Sequence, residues 1–570
     1  MKNLKWLLPL LFILSVLVVL KGKIKRVHTQ NLYITGGLLP NVDNPVLGKY
    51  DPNSVSSNFL LNENWHHSKF RIIESGGPSI DMKDLMSLSD DKNILLTVEV
   101  WGGTLLPRYF GEPIEKILSG TYDEDFISLA KKISNIEKQV YVRFNPEMEV
   151  SIRYYPWQIS NNTFIRAYRH FAAIVRQHAP EVKLVWGPAG YPGAMEYFPG
   201  EQVVDYMSIT INGNSELLAP WYPLEDSIPK LVYRKIQRLR YVKKPLFVLG
   251  SENFRENSSN KDFVKKGIIA IENNKEVIYD KRHFQAKESE LKLTHQKLEL
   301  GLYDPNLLLV NKNSVTTEHI FIDFKGIESR SLEKNLREIE NRGHNAIVTI
   351  EPWLGREMEN DVNVLNNISS GKYDRLIEKA FQTLKKSKTK IYLRFAHEME
   401  IPINRYTWQS KDPVEYIKAY RYFMNYPKEK FPKNISRIWG PAGDRGSMEW
   451  WPGEDVVDYI SIAIYGLPDK NIVDPYKQET FTQIYNRKVF RMRFLNKPIY
   501  ITEFGVKGPE EFQTIWMKDA ARCINEQEEL VGVNYFNMTD VPKAWGDIKP
   551  PDWSISEHTF EAFVDSLDKL

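Results

Sequence analysis

RFAHEMEIPINRYTWQ, residues 394–409, recurs without a gap as RFNPEMEVSIRYYPWQ at residues 143–158, with nine of sixteen positions identical. The match extends well beyond this stretch, and its landmarks keep their order. LGKYDP at 47 answers LGLYDP at 300, and ILLTVEVW at 94 answers AIVTIEPW at 346. VWGPAGYPGAMEYFPGEQVVDYMSI from 185 answers IWGPAGDRGSMEWWPGEDVVDYISI from 438, and KPLFVLG at 244 answers KPIYITEFG at 497. Each copy is about 250 residues long, the size of a closed α/β barrel rather than of a solenoid unit. Short apolar runs rich in β-branched and aromatic residues (QVYVRF, KLVWG, YMSITI, PLFVL) alternate with charged stretches of helical period such as YDRLIEKAFQTLKKSK. That alternation predicts parallel βα units. The expected fold is α/β: two tandem (β/α)8 barrels preceded by an N-terminal hydrophobic anchor helix. The segments are 1–28 (anchor), 29–285 (first barrel), 286–299 (charged linking helix) and 300–570 (second barrel).

Composition sets the outer limits. The chain has 570 residues and a formal charge of +3, but its first thirty residues carry six bases and no acid, so the body is slightly acidic. Nothing there suggests nucleic-acid binding. A single cysteine, Cys523, excludes an intramolecular disulfide and any multi-cysteine metal site. Residues 6–20, WLLPLLFILSVLVVL, are uncharged and flanked by lysines. As a helix they would span about 22 Å against a hydrocarbon core of about 30 Å, so the flanking lysines would have to snorkel. No small-x-small cleavage site follows. The expectation is a membrane-anchored protein with its body on the extracytoplasmic side; cleavage would release it. The positive charge that follows the segment argues for the opposite orientation.

Glu398 follows the apparent strand IYLRF and Glu503 lies in IYITEF, strands four and seven by order. Two carboxylates converging on one barrel rim suit glycosidic bond cleavage, where one protonates the departing oxygen and the other attacks the anomeric carbon or activates water. A lone rim glutamate is more often an arginine's partner; here the neighbours change the balance. HEMEI is not HExxH, because Ile401 takes the second histidine position. GPAGDRG does not fit GxGxxG and reads as a strand–helix loop.

HEME after a strand, with Trp408 ten residues beyond the acid, then WWPG, YISIAIYG and ITEFG, resembles glycoside hydrolase family 26 over residues 300–570, and in weakened form over 47–285. The resemblance implies a retaining mechanism on a β-linked polysaccharide, mannan-like or an exopolysaccharide, with no metal or cofactor in the chemistry. It implies that Glu398 is the acid/base and Glu503 the nucleophile. His397 precedes the acid/base, Tyr465 hydrogen-bonds the nucleophile, and Arg394 lies near its carboxylate. Trp408, Trp353 and Trp545 would offer faces to sugar rings, with Glu351 among the substrate-binding residues. The family usually has an asparagine where this chain has Glu400, and a cluster of tryptophans where it has IPINRY; these departures bear on the substrate more than on the reaction.

The first copy keeps Glu147 but has Pro146 for His397 and Asn212 for Tyr465. Glu147 and Glu252 are 105 residues apart, as are Glu398 and Glu503, yet counted from Pro245 the nucleophile position is Gly250 and Glu252 lies two residues beyond. Two residues of strand are about 6.6 Å, too far for a retaining pair about 5 to 5.5 Å apart unless a bulge intervenes. The first copy is therefore expected to be catalytically degenerate and to bind or position glycan. The rival reading is a non-hydrolytic glycan-binding or scaffold protein for polysaccharide export, with both glutamates as relics; transglycosylation would use the same residues as hydrolysis.

Overall fold

The computed structural model describes residues 37–39, 46–54, 65–73, 93–102, 112–150, 155–211, 227–251, 258–282, 297–354, 361–401, 406–427, 431–466, 479–540 and 549–568. The chain divides into two compact units with the main boundary between Glu272 and Asn273. The apolar segment 6–20, residues 286–296 of the expected linking helix 286–299, Asn212, Glu252 and Trp545 lie outside the described residues, and Glu299, the last residue of that expected helix, opens a strand instead. Among the described residues no helix is long and apolar enough to cross a membrane.

The second unit is a closed barrel. Its strands are β9 (Glu299–Tyr303), β10 (Thr317–Asp323), β11 (Asn345–Glu351), β12 (Ile391–Phe395), β13 (Ile435–Trp439), β14 (Tyr459–Gly466), β15 (Ile499–Val506) and β16 (Leu530–Phe536), all parallel, with β16 pairing back to β9. Alternation decides what each strand presents. On β12, Tyr392 joins Ile347, Ile438, Tyr500 and Val531 in an interior layer. Phe395 instead turns outward and stacks on Phe423 of the helix Pro413–Met424, with centroids 4.1 Å apart. Arg394, two residues above Tyr392, therefore points into the barrel one layer higher. The helices follow from local chemistry. Asp412 caps Pro413–Met424 by accepting from the Val414 N–H at 2.7 Å, and Thr480 with Gln483 forms a capping box on Phe481–Arg491. Leu376, Ile377, Ala380, Phe381 and Leu384 make one buried stripe on Asp374–Lys386.

The first unit departs from the expected closed barrel. Its strands are β1 (Gly37–Leu39), β2 (Val46–Tyr50), β3 (Trp65–Ile73), β4 (Asn93–Gly102), β5 (Val140–Phe144), β6 (Lys183–Trp186), β7 (Tyr206–Ile211) and β8 (Leu246–Gly250), in the order β1-β3-β4-β5-β6-β7-β8-β2. The six strands β3 to β8 run parallel as in the second unit, and Leu95, Tyr141, Val185 and Phe247 repeat its interior layer. Both ends differ. β2, the counterpart of β9, pairs antiparallel with β8, and β1 pairs antiparallel with β3. Among the described residues no pairing joins β1 to β2, and no strand follows β8 before β9. The cause is local. The second copy's LVGVNYF is apolar enough for a strand buried on both faces, whereas the first copy has EVIYDKR there, three apolar residues and then charge. Lys275–Ile278 closes into a short helix instead.

Candidate active site

The repeated stretch is a structural clamp. After β12 the backbone enters the left-handed region at Ala396 (φ 46°) and Glu398 (φ 51°); after β5 it does so at Asn145 (φ 39°) and Glu147 (φ 60°). Non-glycine residues there cost about 1–3 kcal/mol each and persist only when their surroundings hold them. The invariant Trp and Gln do so. Trp408 Nε1 donates to the His397 carbonyl (2.8 Å), Gln409 Nε2 donates to the Glu398 carbonyl (3.0 Å), and the Glu398 N–H donates to Gly440 O (2.9 Å). The first unit repeats each bond: Trp157 to Pro146 O at 2.7 Å, Gln158 to Glu147 O at 2.9 Å and Glu147 N–H to Gly187 O at 2.8 Å. Tyr406 stacks on Trp408 at 4.5 Å and 5°, and Tyr155 on Trp157 at 4.7 Å and 5°.

This corrects the expectation for Trp408. Its ring is 0 % exposed and props the strand-four loop from beneath, so it offers no face to a sugar. Trp353, edge-on to Tyr406 and Trp408, is 7 % exposed and belongs to the same support. Glu400 has a structural task. It accepts hydrogen bonds from the N–H groups of Gly443 (3.0 Å) and Asp444 (3.1 Å) and from Ser447 Oγ (2.9 Å), stapling the GPAGDRG loop; Glu149 does the same for Gly190 and Tyr191. Burial, then Asp444, push the Glu400 carboxyl above the usual range against those donors.

Glu503 is buried and gripped from two sides. Arg394 Nη1 pairs with Oε1, and Tyr465 donates its hydroxyl to Oε2 at 3.0 Å. Arg394, itself 0 % exposed, lies along Gly440, where any Cβ would collide with it. Burial first, then the charges of Glu503 and Glu398 and a further contribution from Asp540, hold the Tyr465 proton well above the usual tyrosine range. Tyr465 thus lies in the field of both carboxylates. Glu398 is half-buried on the loop after β12. Glu351, the last residue of β11, is buried and on the inward phase of its strand. His397 is buried with its ring 5.5 Å from Phe321 and 5.2 Å from Tyr406.

The aim of Glu503 depends on a feature the sequence hid. Three steps on β15, Ile501 to Phe504, answer two on β16, Val533 to Tyr535, and the register with β14 shifts between Ser461 and Ala463. The extra residue is a β-bulge, which re-aims side chains. Tyr500 faces the interior layer, Thr502 bonds Ser461 inside, and Glu503 also turns inward, while Phe504 packs outward against Phe481 and Phe563. Strict alternation would have sent Glu503 toward the helices. β8 pairs with β7 without interruption, so Leu249 faces inward with Phe247 and Gly250 faces out. Neither is an acid.

The sequence reading also missed Tyr303, Phe321 and Phe536. All three are half-buried at the strand ends, 4.6 to 6.5 Å apart, with Phe536 6.2 Å from Tyr465. Each sits at the C-terminal end of an inward-facing series, which is the signal that could have found them. Among the described residues no group of three His, Cys, Asp or Glu side chains is arranged to hold a metal ion.

No family model matches the chain. A β-1,3-xylanase of an Alcaligenes species is 26 % identical over 171 residues, covering 29 % of this chain and 33 % of that protein. The β-1,3-xylanase TXYA of a Vibrio species is 25 % identical over 182 residues, covering 30 % and 35 %. Endoglucanase H of Acetivibrio thermocellus is 24 % identical over 230 residues, covering 38 % and 23 %. The matches thus span about a third or less of these relatives' length. Among solved structures, a GH26 β-mannanase of Bacteroides ovatus aligns with a TM-score of 0.36 and 13 % identity, over 48 % of this chain and 88 % of that one.

Proposed function

We propose that the second barrel is a retaining glycoside hydrolase of the family 26 type that cleaves a β-linked polysaccharide, mannan-like or an exopolysaccharide, while the first unit binds or positions glycan. The observation that carries this reading is the grip on Glu503: a carboxylate with a donor on each oxygen, held inward by a bulge at the rim where the strand-four loop presents Glu398. In that arrangement Glu503 attacks the anomeric carbon, and Arg394 and Tyr465 fix its rotamer. Glu398, on its strained and clamped loop, gives its proton to the departing glycosidic oxygen and then takes one from the water that releases the sugar. The activities named for those relatives, β-1,3-xylanase and endoglucanase, support glycosidic chemistry and widen the substrate panel.

The test is turnover on β-mannans, β-glucans, β-1,3-xylan and β-1,4-xylan by the full chain and by Glu398→Ala and Glu503→Ala. Both variants should lose at least about a hundredfold in kcat. Azide should rescue them with opposite stereochemistry, a β-glycosyl azide from Glu398→Ala and an α-glycosyl azide from Glu503→Ala. Unchanged turnover in either variant would place the chemistry elsewhere, and a chain that binds glycans but never cleaves them would make it a binding protein.

A further inference from the structure

The two units differ in charge at matching inward positions. His67 and His319 fix the alignment of β3 with β10, each bonding the threonine on the next strand at 2.8 Å. Two residues up, Lys69 stands where the second unit has Phe321; four up, Arg71 stands for Asp323. Where Glu503 reaches the interior, the aligned residues of the first unit's strand are Leu249 and Gly250.

The strand-four arginine shows the consequence. Arg143 is buried against Gly187 as Arg394 is against Gly440. Its Nη2 donates to Thr210 Oγ1 at 3.2 Å, and its nearest carboxylate among the described residues is Glu147, 3.9 Å away. The other acid of this layer, Glu99, is already engaged, by Arg71 at 2.7 Å and by Trp101 Nε1 at 2.9 Å. Burial would raise the Glu99 carboxyl, but Lys69, Arg71 and the Trp101 hydrogen bond outweigh it and hold it below the usual range. Burial pulls the Arg143 guanidinium below the ordinary arginine range, and Glu147, Tyr155, Glu99 and Glu149 only partly offset it. A buried cation without a close counter-ion is costly, and an incoming anion removes that cost.

We propose that the first unit is a binding site for an acidic glycan, in which a uronate carboxylate of the ligand takes the place on Arg143 that the Glu503 carboxylate occupies on Arg394. This rests on the reading of the chain as glycan-active and adds the chemical class of the sugar that the first unit holds.

The test uses the full chain carrying Glu503→Gln, so that nothing is turned over. Oligomannuronates and oligogalacturonates, and the same oligomers after carboxyl reduction, are titrated calorimetrically. At least one acidic oligomer should bind ten times more tightly than its reduced form, with affinity falling as salt rises. Arg143→Gln should weaken that binding at least tenfold, with Arg143→Lys intermediate. Should Arg143→Gln fail to fold, Thr210→Glu, which lays a carboxylate beside Arg143, must abolish acidic binding instead. Equal affinity for acidic and reduced forms, no binding of any acidic oligomer, or indifference to these variants overturns the proposal. Turnover by the wild-type chain is scored separately. Loss of this proposal with turnover intact leaves the hydrolase standing, and the reverse result rejects the hydrolase alone.

Discussion

Tyr465 is the residue whose removal most cleanly separates positioning from chemistry. Tyr465→Phe deletes one donor from the Glu503 carboxylate and leaves Arg394 in place. A hydrogen bond to a charged group is worth about 1.5–3 kcal/mol, so kcat should fall about ten- to a hundredfold while the fold persists. Steady-state kinetics beside a melting curve checks this. His319 sets a pH dependence. Burial, then the neighbouring Arg394 charge, hold its imidazole well below the usual histidine range. The folded state stays neutral while the unfolded chain takes up a proton below about pH 6.5, so this contribution to stability is complete above that pH and is lost as pH falls. Unfolding free energy measured from pH 7 down to 5 should decline with a slope approaching about 1.4 kcal/mol per pH unit for this group. His319→Gln should flatten it; an unchanged slope would mean the ring is protonated in the fold. At this scale Glu398 and Glu503 stand out in the sequence as acids at the ends of apolar runs, whereas Arg394 and Tyr465 entered only through the family resemblance. It misassigned Trp408 because residue type does not say which face of a ring is covered.

Elements explain why an apparent catalytic signature occurs in both copies. The RF…EME…Y…WQ pattern builds the strained turn after strand four, and it survives in the first unit with its tryptophan, glutamine and backbone N–H clamps intact, while Ala194 stands where Ser447 adds a further bond to Glu400. Glu400 belongs to that scaffold. Glu400→Gln keeps an acceptor for the Gly443 and Asp444 N–H groups and should retain most activity, whereas Glu400→Ala leaves those two N–H donors unmatched and should cost about 1–3 kcal/mol. Chemical denaturation of the two variants decides between a staple and a catalytic acid, since a catalytic acid would not tolerate the amide. In the second unit strand order and strand ends were readable from the alternation of apolar and helical stretches; in the first, the antiparallel places of β1 and β2 were not. The bulge in β15 was not, because one extra residue in a strand leaves the same trace in a sequence as a shift in loop length.

For the whole molecule, duplication of sequence has not given duplication of architecture. The second copy closes because LVGVNYF supplies an eighth strand; the first ends in charge and recruits β2 and β1 in antiparallel pairing. A search for repeats reports similarity of segments, and closure depends on the one segment where similarity fails. Activity should follow the same asymmetry. Glu252→Gln should leave total turnover within about twofold of wild type, and a larger drop in a rate assay would make the first unit a second active centre.

The uninterrupted pairing of β8 with β7 carries a lesson for anyone who would reawaken the first unit. Gly250→Glu, the substitution that an alignment recommends, would send its carboxylate toward the outer helices. Reviving that half would need an inserted codon to break the phase of the strand before any acid could be aimed.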